Sequence, residues 1–149
     1  MFDKAEVLPI ATDHAGFTLK AYLIEKLTAK GYHVKDFGPF SEDRVDYPDF
    51  IHPLARAIND KTYRFGIILC GSGQGASITA NKYAGVRAAL CWDKEQAALS
   101  RKHNNANIVS LPARFIDFDV AVEIVEIFLQ TEFEGGRHTL RVEKISRTQ

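Results

Sequence analysis

The segment Phe65–Cys70 reads Phe-Gly-Ile-Ile-Leu-Cys, and it constrains the fold more than any other part of the sequence because it contains no polar side chain. A strand with one solvated face alternates apolar and polar residues, whereas a parallel strand covered by helices on both faces is apolar throughout. This run therefore predicts a central strand of a parallel sheet. A glycine-rich loop and a short helix through Tyr83 follow it directly, as in a strand–loop–helix unit.

The rest of the chain repeats this alternation of short apolar runs and amphipathic segments. The predicted strands are Val7–Thr12, Tyr32–Phe37, Phe65–Cys70, Arg87–Cys91 and Ile108–Leu111. The other predicted helices are Phe17–Lys30, Phe50–Asn59, a segment that reaches His103 with Asp93 as its N-cap, Phe118–Gln130, and the tail after Gly135-Gly136. The polar segment Gly38–Pro48 is predicted to be a loop, and Pro9 weakens the first strand because proline cannot donate to a sheet ladder.

Five strands, each followed by a helix, predict the α/β class. We expect residues 1–149 to form a single domain, a three-layer α/β/α sandwich with a Rossmann-like five-stranded parallel sheet and right-handed crossovers. In such folds, ligands bind outside the carboxyl ends of the strands. Functional residues are therefore expected at those ends.

The charge balance and the hydropathy pattern exclude several classes of partner. Lys and Arg total 19, as do Asp and Glu, so the basic excess typical of a nucleic-acid-binding protein is missing. No apolar stretch approaches the ~20 residues that span a bilayer, and the charged first residues do not resemble a secretory signal. The two cysteines, Cys70 and Cys91, are expected to be reduced thiols in the cytoplasm.

The loop after the third predicted strand reads Cys-Gly-Ser-Gly-Gln-Gly-Ala-Ser from Cys70 to Ser77. Its three glycines allow successive backbone N–H groups to converge on an anion, and the following helix would add its positive N-terminal end and favour the thiolate of Cys70. The alternative is a tight turn beside an inert buried cysteine. The spacing excludes a P-loop, a dinucleotide-binding fingerprint and a phosphatase-type loop, which would require arginine at Ala76.

Three other segments carry polar groups suited to a site. Asp13 and His14 follow the first strand and could receive hydroxyls and an anion, although Asp13 could equally be a helix cap. His103 could be catalytic or could complement the end of a helix dipole. Arg137 and Arg141 share one helix face and could bind a phosphate or remain a solvated basic surface. The histidine spacing matches no recognised metal site, so no metal is predicted.

Six short motifs occur in order along the chain. They are Asp13-His14-x-Gly16, Asp46-Tyr47-Pro48, Cys70-Gly71-Ser72-Gly73-x-Gly75, Ala80-Asn81-Lys82, Ser100-Arg101-x-His103-Asn104 and Gly135-Gly136-Arg137-His138-x-x-Arg141. Together they resemble the type B ribose-5-phosphate isomerase family, which also contains galactose-6-phosphate and allose-6-phosphate isomerases. The resemblance extends from Val7 to about Arg147. It implies an aldose–ketose isomerase of the pentose phosphate pathway that interconverts ribose 5-phosphate and ribulose 5-phosphate through an enediolate, without a cofactor.

The resemblance also implies a role for each matching residue. Cys70 would be the base that moves a proton between C2 and C1, His103 would assist opening of the furanose ring, and Ser72 would place a hydroxyl near the reacting carbons. The implied substrate-binding residues are Gly71, Ser72, Gly73, Gln74 and Gly75 for the enediolate oxygen, Asp13 and Asn104 for sugar hydroxyls, and His14, Arg114, Arg137 and Arg141 for the phosphate. Some relatives use a glutamate after the loop; this chain has Ala76 there, so Cys70 has no substitute.

Family sites lie between two subunits, so the resemblance implies a homodimer with shared active sites. Two dimers could pair into a tetramer, and the tail of about residues 135–149 would pack on a partner subunit. Two alternatives remain open: isomerisation of a hexose 6-phosphate such as allose or galactose 6-phosphate, and a non-catalytic module that senses phosphosugars. The second alternative has no use for Cys70 and His103 together.

Overall fold

A computed structural model describes residues 1–148 of the chain. Within these residues the strands are β1 (Val7–Ala11), β2 (His33–Asp36), β3 (Gly66–Cys70), β4 (Ala88–Leu90) and β5 (Ile108–Pro112). The helices are α1 (Phe17–Ala29), α2 (Tyr47–Asn59), α3 (Gln74–Ala80), α4 (Lys94–Asn104), α5 (Phe118–Gln130) and α6 (Arg137–Ile145). A single 3-10 turn, His14–Gly16, leads into α1.

The five strands form one parallel sheet in the order β2-β1-β3-β5-β4. Helices α1, α4 and α5 contribute to the core on one face, and α2 and α3 cover the other. All five residues of β3 are buried; Ile67 and Leu69 belong to the first core, Ile68 and Cys70 to the second. The predicted three-layer α/β/α sandwich is therefore confirmed, and its central strand is the apolar run that predicted it.

Several element ends differ from the prediction. Helix α2 begins at Tyr47 rather than at Phe50 because Pro48 lies in the first turn, where a missing N–H costs nothing. Helix α3 ends at Ala80, and not at Tyr83, because the Asn81 side chain turns to the edge strand β4. There its Nδ2 donates to Ala88 O at 3.0 Å and its Oδ1 accepts from Ala88 N at 2.8 Å.

Pro9 lies inside β1, a central strand, without interrupting the sheet. Strand β1 pairs with β2 from Val7 onward, but its paired residues with β3 begin only at Ile10. Pro9 therefore precedes the ladder on the β3 side.

The C-terminal helix α6 contacts α4, and it buries only His138 of its own residues. Leu140 and Ile145 remain exposed on it. Gln149, the last residue of the tail predicted to pack on a partner, lies outside the described residues. None of the helices within residues 1–148 combines the length and the apolar character that crossing a membrane requires.

Candidate active site

The carboxyl ends of β1 and β3 lie side by side at the centre of the sheet. The chain leaves β1 toward β2 on one side and returns as β3 on the other, so this is the switch point where open α/β sheets bind ligands. A cavity of about 530 Å³ opens there. Its lining residues are Asp13, Tyr47, Cys70, Gly71, Ser72, Gly75, Arg114 and Phe115. The structure thus brings six of the predicted site residues together around one cavity.

The conformation of the glycine-rich loop is fixed at Gly73 by its backbone, its hydrogen bonds and its packing. This residue has a φ of 73°, and its carbonyl accepts hydrogen bonds from Ser77 Oγ and Ser110 Oγ, both at 2.8 Å. A Cβ at this position would lie 2.5 Å from Leu90 Cδ1 and 3.1 Å from the carbonyl carbon of Leu111. The left-handed backbone and the close packing both require glycine here.

Cys70 is only 4% exposed, yet it borders the cavity. The residues after β5 follow the same path as those after β3: Ala113 N donates to Cys70 O and Arg114 N donates to Gly71 O, both at 3.0 Å. This pairing places the Arg114 guanidinium over Gly71, where a Cβ would lie 3.2 Å from Nη1. An anion bound at this loop would therefore meet a positive charge beside the thiol.

Tyr47 and Phe115 complete the cavity wall, and neither was a predicted site residue. A Cβ on Gly75 would lie 2.4 Å from Cζ and 2.7 Å from Oη of Tyr47, so the tyrosine ring packs directly on the glycine loop. Phe115 is 75% exposed at the cavity, next to Arg114. The motif Asp46-Tyr47-Pro48 was the only sequence signal for Tyr47, and no pattern indicated Phe115.

Asp13 combines the two roles that the sequence left open. Its Oδ1 accepts a hydrogen bond from Ala15 N at 2.9 Å, which caps the turn before α1, and the residue also lines the cavity. The ring of the neighbouring His14 is held by the loop before α2, with Nδ1 3.1 Å from Val45 O and 3.2 Å from Val45 N. His14 is adjacent to the cavity-lining Asp13 but does not itself line the cavity.

Gln74, the first residue of α3, does not line the cavity. Four other predicted residues, His103, Asn104, Arg137 and Arg141, form a second group at the end of α4 and the start of α6. His103 and His138 stack with ring centroids 4.3 Å apart and an interplanar angle of 13°. Asn104, Arg137 and Arg141 are exposed on the same two helices. Across residues 1–148, none of these five side chains lines the Cys70 cavity. One chain therefore presents the predicted site as two separate groups.

His138 has an unusual environment for a histidine. It is 6% exposed, and its Nε2 has no hydrogen-bond partner among the described residues. Burial lowers the pKa of His138, and the neighbouring positive charges of His103, Arg137 and Arg141 lower it further. The stacked pair is therefore disfavoured from carrying two positive charges.

The same group contains three side chains of the types that bind metal ions. His103, Glu134 and His138 place their ligand atoms within 4.8 Å of one another, a grouping that the sequence could not reveal because Glu134 and His138 belong to a distant segment. A metal ion lies in the plane of each imidazole that binds it. Two nearly parallel stacked rings share no such point, so this arrangement does not form a metal site unless a ring turns.

The second cysteine is a poor nucleophile. Cys91 is buried and unbridged, and burial raises the pKa of its thiol to about 11. Of the two cysteines, only Cys70 borders the cavity.

Comparison with known proteins places this geometry in a family. The family model for ribose/galactose isomerases matches residues 8–145. Ribose-5-phosphate isomerase B of Escherichia coli is 41% identical over 134 residues, which cover 90% of this chain and 90% of that protein.

Two solved structures share the fold closely. A ribose 5-phosphate isomerase from Thermotoga maritima superposes with a TM-score of 0.92 at 48% identity, covering 95% of this chain and 97% of that one. Ribose-5-phosphate isomerase B from Mycoplasma genitalium, solved with bound ribulose 5-phosphate, gives a TM-score of 0.90 at 43% identity, covering 95% and 94%. Since the match spans nearly the whole sequence and the whole fold, this chain belongs to the ribose/galactose isomerase family.

Proposed function

We propose that this protein interconverts ribose 5-phosphate and ribulose 5-phosphate by moving a proton between C2 and C1 through an enediolate. The observation that carries the proposal is the placement of Cys70, the glycine loop and Arg114 around one cavity at the switch point of the sheet. The names of the relatives, and the ribulose 5-phosphate bound to the Mycoplasma genitalium protein, support the same reaction. They do not favour a sensing module or a hexose 6-phosphate isomerase.

The proton transfer is assigned to Cys70. A proton next to a carbonyl is weakly acidic, so its removal requires both a base and stabilisation of the oxyanion that develops. Donors held in place around such an oxyanion contribute on the order of 3–4 kcal/mol each in other enzymes. The amides of the loop 71–75 are proposed to supply them, with the Ser72 hydroxyl nearby. One thiolate takes the proton from C2 and returns it to C1 on the same face of the enediolate, while the proton of the C2 hydroxyl passes to the C1 oxygen.

The substrate is proposed to lie with its hydroxyls on Asp13 and its reacting carbons over Cys70. Arg114 is the one cationic side chain of residues 1–148 that lines this cavity. A sugar phosphate carries about two negative charges at neutral pH, so one arginine is a weak clamp for it. His14, Arg137 and Arg141 are therefore proposed to bind the phosphate together with Arg114.

The separation of the two groups is the argument for a shared site. Arg137 and Arg141 are exposed on α6, and His103 and Asn104 lie at the end of α4, outside the Cys70 cavity. We propose that a second copy of the chain supplies these four residues to the cavity, which gives a homodimer with two equivalent sites. Exposed apolar residues of the tail, Leu140 among them, support its packing on a partner. Pairing of two dimers would produce a tetramer.

His103 is proposed to act before the proton transfer. Ribose 5-phosphate is mostly a closed furanose, and opening the ring moves a proton between the ring oxygen and the anomeric hydroxyl. An imidazole suits this step because it can both accept and donate a proton. The stacked His138 would hold the His103 ring in position.

The reaction is tested with the purified chain and three substrates: ribose 5-phosphate, allose 6-phosphate and galactose 6-phosphate. We expect the highest kcat/KM for ribose 5-phosphate. Binding of all three without turnover would contradict the enzyme assignment, and faster turnover of a hexose 6-phosphate would contradict the choice of sugar.

The shared site is tested by mixing two inactive variants, Cys70→Ala and Arg137→Ala. If each site takes Cys70 from one chain and Arg137 from the other, a mixed dimer regains one of its two sites. Random mixing makes about half of the dimers mixed, so activity should recover to about one quarter of the wild-type value. Verified mixed dimers without activity would mean that each site is built from one chain.

A further inference from the structure

A second cavity, of about 580 Å³, lies at the opposite end of the sheet from the Cys70 cavity. Phe65, Arg87 and Asn107 line it, and each directly precedes or adjoins the start of a strand. The two cavities have no lining residue in common. We call this second cavity the amino-end cavity.

The amino-end cavity is positively charged. Its lining includes Lys61, Arg64, Arg87 and Arg101 but no aspartate or glutamate. Arg64 forms an ion pair with Glu6, with Nη2 2.7 Å from Oε1. The other three cations make no ion pair within residues 1–148. Three positive charges therefore share this cavity without a counterion.

Arg101 is 5% exposed, and only neutral acceptors surround its guanidinium. Its Nε donates to Thr131 O at 3.0 Å, and its Nη1 donates to Asn105 Oδ1 at 2.9 Å and to Ala106 O at 2.6 Å. Arg101 thus donates hydrogen bonds to carbonyl groups near the end of α4, and this structural role explains an arginine at this position. They do not cancel its charge, and a buried charge without a counterion is costly.

Arg87 is half-buried and leaves most of its donors free. Its Nε donates to Asn105 O at 3.0 Å, whereas Nη1 and Nη2 make no hydrogen bond to any described residue. Burial lowers the pKa of Arg87, and burial together with the charges of Arg64 and Arg87 lowers the pKa of Arg101 to about 10. An anion in the cavity would relieve both effects.

The positions of two of these guanidinium groups are set by an aromatic ring. Arg64 Cζ lies 4.7 Å and Arg101 Cζ lies 4.6 Å from the centroid of Phe65. Stacking on a ring restricts a guanidinium before any ligand arrives, which lowers the entropy that binding would cost.

We propose that the amino-end cavity binds a small anion that carries a phosphate group, with Arg87 as its main ligand and with Arg101 and Lys61 supplying further charge. The volume falls within the ~300–1,000 Å³ of small-molecule sites. Guanidinium forks bind oxyanions with two parallel hydrogen bonds. A tetrahedral phosphate presents acceptors in several directions, which suits cations on different walls better than a planar carboxylate does.

The test is a titration of the ¹⁵N-labelled full chain with inorganic phosphate, followed by NMR. We expect shifts at Gly85 N–H and at the Asn107 side-chain amide, with a binding curve separate from that of Gly71–Gly75 in the active cavity. Arg87→Gln should weaken the first curve about tenfold, as expected for a charge-assisted hydrogen bond. Arg114→Ala, the matched control, should weaken only the second curve.

A second variant and two other anions test the same cavity. Lys61 has a left-handed φ of 62°, so Lys61→Asn removes a charge while asparagine tolerates this backbone conformation. This variant should weaken phosphate binding at the amino-end cavity even if Arg87→Gln does not fold. Shifts confined to Gly71–Gly75, or equal shifts with chloride at matched ionic strength, would overturn the site. Tighter binding of succinate would overturn the phosphate assignment. None of these outcomes depends on isomerase activity.

Discussion

Replacement of Gly73 by alanine tests whether the backbone conformation and close packing of Gly73 fix the loop beside Cys70. The φ of 73° costs an alanine about 1–2 kcal/mol. The new Cβ would also lie 2.5 Å from Leu90 Cδ1 and 3.1 Å from the backbone of Leu111, and overpacking of this kind costs about 1–3 kcal/mol. We therefore expect Gly73→Ala to lower the free energy of unfolding by about 2–5 kcal/mol.

A matched control separates the two contributions. Gly31, which lies outside the tail proposed to pack on a partner, also has a positive φ, of 93°, but a Cβ there would meet nothing closer than Lys4 Cδ at 3.8 Å. Gly31→Ala should therefore lose only the backbone contribution of about 1–2 kcal/mol. Both variants are unfolded in denaturant at one protein concentration, because subunit association would contribute to stability.

The same substitution should reduce catalysis more than substrate binding. Strain at Gly73 displaces the amides proposed to stabilise the enediolate, so kcat for ribose 5-phosphate should fall while KM changes little. If Gly73→Ala unfolds at the same denaturant concentration as Gly31→Ala and keeps its kcat, the loop is not fixed as we describe.

Thiol reactivity, proton exchange and chelation each test the proposed site. Iodoacetamide at pH 8 should modify Cys70, with protection by ribose 5-phosphate, but not Cys91, since the thiolate reacts and the pKa of Cys91 is raised to about 11; peptide mass spectrometry that finds Cys91 modified first would contradict this. Cys70→Ala should abolish proton exchange at C1 of ribulose 5-phosphate, whereas His103→Asn should spare it and slow only turnover from ribose 5-phosphate, because ribulose 5-phosphate cannot close to a furanose; equal loss of exchange in both variants would assign His103 to the proton transfer. Exhaustive chelation should leave turnover intact, and a loss that zinc reverses would refute a cofactor-free mechanism.

The elements with a strong local signal could be predicted from the sequence. A buried strand is the secondary structure that fits the length of the apolar run of β3 and the segments on either side of it. Asp93 was predicted to cap α4, and its side chain accepts from Gln96 N at 2.8 Å. Helix ends set by distant partners could not be predicted. Helix α3 ends before Asn81 because the Asn81 side chain forms two hydrogen bonds with the backbone of Ala88, seven residues away.

Six of the eight residues that line the Cys70 cavity were predicted from the sequence, but the arrangement of the site was not. The motifs predicted Cys70 and Arg137 separately, yet no pattern in one chain shows that their side chains belong to different groups. The contact between Tyr47 and Gly75 is also invisible in the sequence, because it depends on how α2 crosses the sheet. The amino-end cavity could not be predicted for the same reason. Arg64, Arg87 and Arg101 come from three separate segments of the sequence and lie together only in the folded chain.

The hydrogen bonds of Asn81 have a consequence for how copies of this chain can join. A strand at the rim of a sheet exposes N–H and C=O groups on which another chain can add a strand and begin to aggregate. Strand β4 is such a rim and is only three residues long. The Asn81 amide occupies both backbone groups of Ala88 on the outer side, in the manner of one further peptide unit. The sheet is thereby closed to continuation at the start of β4, so the proposed dimer is expected to form through helices and loops.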